Sequence, residues 1–185
     1  MIQESLSAIS TAGLFACGIA LIVVFVFLRS LSLTFLVAGA IPLSILGPLT
    51  WLHANGDSLN MLSMMGLMLA CGMVVDNSIV VAEAIYAQLA RSVGGDKRSL
   101  VIAGVREVGL PVLMGTATTI AVFLPLILMA GQSEFSFFLS NVGVPVCIAL
   151  ATSLLVALVL IPFVIYYLPY NEKVATSEGR DNVLH

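Results

Sequence analysis

Asp76, Asn77 and Glu83 stand in a run of aliphatic and small residues, Gly72-Met-Val-Val-Asp-Asn-Ser-Ile-Val-Val-Ala-Glu83. On a helix turning about 100° per residue, Asp76 and Glu83 differ by about 20° around the axis and share a face, with Asn77 on its shoulder and Gly72 one turn before. A charged side chain at the centre of a membrane helix costs on the order of 3 kcal/mol on insertion scales, and such carboxyls usually face a bundle interior or a water path. Asp76 is therefore expected to point inward. Loss of hydration favours the neutral acid and a nearby cation favours the carboxylate. A carboxyl held between those influences can bind and release a proton as its surroundings change, which a proton-driven transporter requires. The alternative reading is a protonated aspartate that joins helices by hydrogen bonds.

Weaker candidates surround this centre. Glu83 could relay protons toward the cytoplasmic end, or snorkel as an interface carboxylate. Asn77 could bond to Asp76 or serve as a packing amide. Thr116 and Thr119 share a helical face and could line a proton path, although threonine in such helices more often bonds its own backbone. Gly66 and Gly72 are expected to permit close helix packing. His53 reads as a loop residue, and no second histidine is near enough in sequence to suggest a metal site. Cys17, Cys71 and Cys147 lie far apart inside apolar runs and read as small hydrophobes rather than a disulfide framework.

The elements that must position these groups follow from composition. Of the 185 residues, 60% are hydrophobic and 9% charged, against roughly 25% charged in an ordinary soluble domain. The chain is expected to be an all-α, polytopic membrane helix bundle over 1–168, with a polar tail at 169–185. Five apolar runs are each long enough to cross about 30 Å of hydrocarbon: about 9–28, 33–52, 60–89, 108–129 and 141–167. Pro42, Gly47 and Pro48 should kink the second. Asn-Gly-Asp-Ser at 55–58 is a turn composition from which Asp57 or Ser58 could cap the third. Residues 91–106 read as the one sizeable polar loop, ending in a short amphipathic segment. The net charge of −3, with seven dispersed basic residues, suggests no nucleic-acid surface.

Basic residues set the orientation, because short basic loops stay on the cytoplasmic side. Arg29, Arg91, Lys97, Arg98, Arg106, Lys173 and Arg180 all fall on one side of a five-span arrangement. The amino-terminal end is then periplasmic and the carboxyl terminus cytoplasmic. Residues 1–10 carry no basic group and lack the n-region of a secretory signal, so the start is expected to be a cut edge with a segment missing upstream. No lysine or arginine lies within a span, so a cationic partner for Asp76 must come from elsewhere.

The run Gly56-Asp-Ser-Leu-Asn60, then Gly66-Leu-Met-Leu-Ala70, then Gly72 to Glu83 resembles the fourth transmembrane helix of resistance-nodulation-division efflux transporters, above all the hydrophobe/amphiphile, acriflavine-resistance-like branch. Gly104-Val-Arg-Glu-Val-Gly-Leu-Pro111-Val and Thr116-Ala-Thr-Thr-Ile-Ala-Val-Phe-Leu-Pro125-Leu resemble the helix that follows. The likeness covers about residues 10–168. It implies helices two to six of the amino-terminal half of a twelve-helix pump of the bacterial inner membrane, with protons as coupling ion and no other cofactor. The implied partners are a porter domain, a second transmembrane half supplying a lysine, membrane lipid, a trimeric assembly, a periplasmic adaptor and an outer-membrane channel. Asp76 matches the first aspartate of the family's proton-coupling pair. Asn77 stands at the second, which argues for one titrating carboxylate here.

Two other classes compete. Five-helix sterol-sensing domains resemble this half of the fold, so a lipid-binding or regulatory module is the alternative. An intramembrane aspartyl protease would need two aspartates in the membrane, and only Asp76 lies within a span.

Overall fold

The structure, a computed structural model, describes residues 11, 15, 18–19, 22–26, 31–57, 59–91, 96–128 and 134–167. Among them every regular element is helical: α1 (Leu31–Ala54), α2 (Met61–Arg91), α3 (Lys97–Leu128) and α4 (Glu134–Leu155). A π-helical turn, Val156–Leu160, joins α4 to α5 (Ile161–Tyr167) without a break. The described residues of the first apolar run, 11, 15, 18–19 and 22–26, are helical as well. The remainder of that run and the tail at 169–185 lie outside the described residues.

Among the described residues, four helices are long and apolar enough to cross a membrane: Leu33–Ala54, Met61–Arg91, Lys97–Pro125 and Leu139–Tyr167. The chain is an all-α membrane helix bundle. Its second apolar run forms one helix through Pro42 and Pro48.

Turn chemistry differs from the sequence expectation between α1 and α2. Gly56 adopts φ 72°, its N–H donates to His53 O at 3.2 Å, and the Asp57 N–H donates to Leu52 O at 3.0 Å. That is the Schellman pattern, a left-handed glycine followed by a bond reaching back to the last helical turn. Asn-Gly-Asp therefore ends α1 and does not cap α2; Ser58 lies outside the described residues. The cap is Asn60: its Oδ1 accepts from the Ser63 N–H at 2.8 Å, and its own N–H donates to Ser63 Oγ at 3.0 Å. This reciprocal pair satisfies two of the free amides that every helix start leaves. Asn60→Ala should cost about 1 kcal/mol of unfolding free energy, read from chemical denaturation of the intact protein; an unchanged midpoint would show that water replaces the cap.

A second difference concerns α3, which begins at Lys97 rather than near residue 108. Ser99 Oγ and the Leu100 N–H both donate to Asp96 O, at 2.7 and 3.2 Å. Leu100, Val101, Val105 and Val108 then pack on one core with Ile85, Leu89, Ile161 and Ile165. The polar residues of this segment form the outer face of a helix whose inner face is buried. Likewise α4 begins at Glu134, ahead of the expected 141.

Glycines fix where the helices cross. A Cβ on Gly66 would lie 2.6 Å from Val142 O, and one on Gly104 would lie 2.7 Å from Ile85 Cα. The first sets the α2–α4 crossing and the second the α2–α3 crossing. Gly72 differs from the expectation, because a Cβ there would meet nothing within 4 Å. It permits no close approach among the described residues.

Candidate functional site

Helix α2 carries two stripes. Ala70, Val74, Ser78, Val81 and Ile85 are buried against α3, α4 and the turns beyond them, while Cys71 and Val75 join Val24 of the first apolar run and Val37 and Ile41 of α1. On the other side Met65, Leu69, Gly72, Asp76, Val80 and Glu83 are all exposed. The bundle therefore turns Asp76 outward, contrary to the expected inward aspect. The sequence defined the face correctly, but the elements of this chain cover the opposite one.

Asp76 opens into a groove of about 350 Å³ between α2 and α3, closed at one side by Leu150 of α4. Met73, Asn77 and Val80 complete the α2 wall, and Pro111, Val112, Gly115, Thr116 and Thr119 form the α3 wall. Pro111, Gly115 and Thr119 recur every fourth residue, so one face of α3 presents backbone and a short hydroxyl to the groove. Among the described residues no basic side chain lines the groove.

Thr116 and Asn77 form the link between the walls. Thr116 is 5% exposed; its Oγ1 lies 2.9 Å from Val112 O and 3.2 Å from Asn77 Oδ1. A hydroxyl has one proton to give, and Val112 O is the nearer acceptor. Asn77 Nδ2 is buried without a partner. Turning the amide by 180° exchanges its two near-identical ends, so that Nδ2–H donates to Thr116 Oγ1 while the hydroxyl proton stays on Val112 O. Thr119 Oγ1 donates to Gly115 O at 3.0 Å. Both threonines thus bond their own helix, and Thr116 in addition meets α2.

Asp76, Asn77, Thr116 and Thr119 are brought together around one groove. Glu83 shares the exposed stripe but does not line it. Cys71 is buried and Cys147 half-buried, and neither is in a disulfide; among the described residues no group of three His, Cys, Asp or Glu side chains could hold a metal. Residue types alone gave no sign of three cross-helix contacts. Gln88 Nε2 donates to Glu107 Oε2 at 2.7 Å, and Lys97 Nζ donates to Tyr166 O, in the last turn of α5, at 2.8 Å. Ser153 Oγ donates to Val74 O at 2.8 Å.

Comparison with known proteins places these features in context. Residues 1–177 match the model of the AcrB/AcrD/AcrF family. The chain is 38% identical over 167 residues to Multidrug resistance protein MdtC of Serratia proteamaculans (strain 568), covering 90% of this chain and 16% of that protein. The protein of the same name from Yersinia pestis bv. Antiqua (strain Angola) gives the same identity and coverage. The chain thus spans 16% of the length of these curated relatives.

Proposed function

The chain belongs to the AcrB/AcrD/AcrF family of resistance-nodulation-division multidrug transporters, and from that premise we propose that it supplies the proton-coupling part of a proton-driven efflux pump of the bacterial inner membrane. Asp76 is the carrier. The observation that supports this most is its position: a carboxyl on the uncovered stripe of a spanning helix, in a groove whose other polar groups are Asn77, Thr116 and Thr119.

Left against lipid, a charged Asp76 would cost on the order of 3 kcal/mol. Other parts of the pump therefore cover the stripe and bring a cation to it. Protonation removes the attraction to that cation and deprotonation restores it, so the proton state of one side chain biases two arrangements of the groove. Asn77 cannot titrate; bonded to Thr116, it holds the neighbouring wall at fixed spacing while Asp76 changes charge. Proton entry and exit use the open groove, with Glu83 farther along the stripe at the end joined to α3. In this reading the amino-terminal end is periplasmic and the carboxyl terminus cytoplasmic, as the basic residues require.

The experiment is transport by the intact pump in sealed vesicles. An imposed pH gradient, acidic on the periplasmic face, should drive movement of an exported compound, and a protonophore should stop it. Transport that persists at the same rate after the gradient is collapsed would defeat the proposal.

A further inference from the structure

Six described hydroxyls donate to the carbonyl four residues earlier in their own helix: Ser44, Thr50, Thr116, Thr118, Thr119 and Thr152. Ser78 does not. It is 0% exposed, and its Oγ has no partner. The carbonyl it would use is Val74 O, and Ser153 of α4, itself 0% exposed, already donates to that oxygen at 2.8 Å. A carbonyl has two lone pairs. Within α2 one of them serves the Ser78 N–H, and the Ser153 hydroxyl takes the other.

We propose that Ser78 and Ser153 form an exchange switch around Val74 O, which lets α4 engage and release α2 on the face opposite Asp76. In the engaged arrangement, the one observed, Ser153 bonds across the seam and Ser78 is left unsatisfied. In the released arrangement Ser153 bonds Ala149 O, its own carbonyl four residues back, and Ser78 bonds Val74 O. Both hydroxyls are then satisfied without the neighbouring helix. The cross-helix bond is thereby offset by an unpaired hydroxyl, and an unmade bond in a buried site costs as much as a typical bond contributes, or more. The released arrangement makes two hydroxyl bonds where the engaged one makes one, while the packing of Ala70 and Val74 on Val146, Ala149 and Leu150 favours the engaged one, so each arrangement holds an advantage that the other lacks.

The chain beyond Ser153 fits such a movement. Val156–Leu160 is a π turn in which the Ile161 N–H reaches back to Val156 O, and Val156 and Ala157 are buried in the core shared with Val81, Ala82 and Ile85 of α2. A single π turn holds one extra residue per turn and often marks a working site in a helix. It can absorb a change of register in α4 while α5 stays fixed by the Lys97 bond to Tyr166 O.

A double-mutant cycle on the intact protein, by reversible unfolding in mixed micelles, tests the exchange. With it, Ser153→Ala leaves the folded-to-unfolded ratio at or above the parent's, because Ser78 takes over Val74 O. Ser78→Ala alone also leaves the ratio at or above the parent's. The double variant falls below either single by about fivefold, the value of one hydrogen bond, so the two changes are coupled. If Ser153→Ala instead lowers the ratio about fivefold, or fails to fold, or if the two effects multiply independently within about twofold, Ser78 cannot reach Val74 O and the proposal is overturned.

Discussion

Asp76→Asn in the intact transporter is expected to abolish export while leaving the amount of protein in the membrane unchanged. Asparagine is nearly isosteric with aspartate but cannot carry a proton. Asp76 is exposed on its helix and lies outside the three cores that hold the bundle together, so the fold should not register the change. Without a titrating group at this position the pump has no proton to exchange, so export should fall to the level of cells that lack the transporter. Asp76→Glu keeps the titrating group one methylene farther out and should retain part of the activity. The measurement is accumulation of an exported dye in cells, set against the quantity of transporter on a blot. Export at the parent rate by the asparagine variant would remove Asp76 from the mechanism.

The second large effect is structural. Gly104→Ala places a methyl group 2.7 Å from Ile85 Cα, 3.0 Å from Ile85 N and 3.1 Å from Ala84 O. All three are backbone atoms and cannot rotate away, so α3 must move off α2. Overpacking of this kind costs about 1–3 kcal/mol. The gain of about 1 kcal/mol from replacing glycine by alanine within a helix does not offset the upper part of that range. Gly72→Ala, compared with it in the 185-residue chain where the stripe is uncovered, is the control: it gains the same propensity and meets nothing within 4 Å. Unfolding should therefore come earlier for the Gly104 variant, and no earlier than in the parent for the Gly72 variant. Equal stability for both would mean that the α2–α3 crossing is not set by contact at Gly104.

These contrasts show what the residues disclosed and what they did not. The apolar runs at 33–52, 60–89 and 141–167 announce helices, since hydrocarbon leaves the backbone no other way to satisfy its polar groups. The start of α3 was hidden because Lys97, Arg98 and Ser99 look like loop until Val101 and Val105 are seen packed on Ile85 and Ile161. The spacing of Gly72, Asp76 and Glu83 identified a face correctly. Which side of the helix is covered depends on where the other helices lie, and a repeat within one helix does not contain that information. For the same reason Gly66 and Gly72 look alike as letters, yet only Gly66 faces another backbone. The Ser153 contact escaped detection because its acceptor is a main-chain oxygen, which every residue has.

Helices α2 and α3 contain 31 and 32 residues, which at 1.5 Å each extend to roughly 46 and 48 Å. That outreaches about 30 Å of hydrocarbon by some 16 Å. Assigned to the end where Gln88 and Glu107 are joined, that excess is an arm of about 16 Å. The pair thus forms a stiff arm standing in water beyond the bilayer surface. A tilt of about 10° in the membrane would swing its tip by roughly 3 Å, a length-times-angle consequence of helix rise alone. A small rearrangement around a single carboxyl could thereby be felt as a mechanical displacement well outside the lipid.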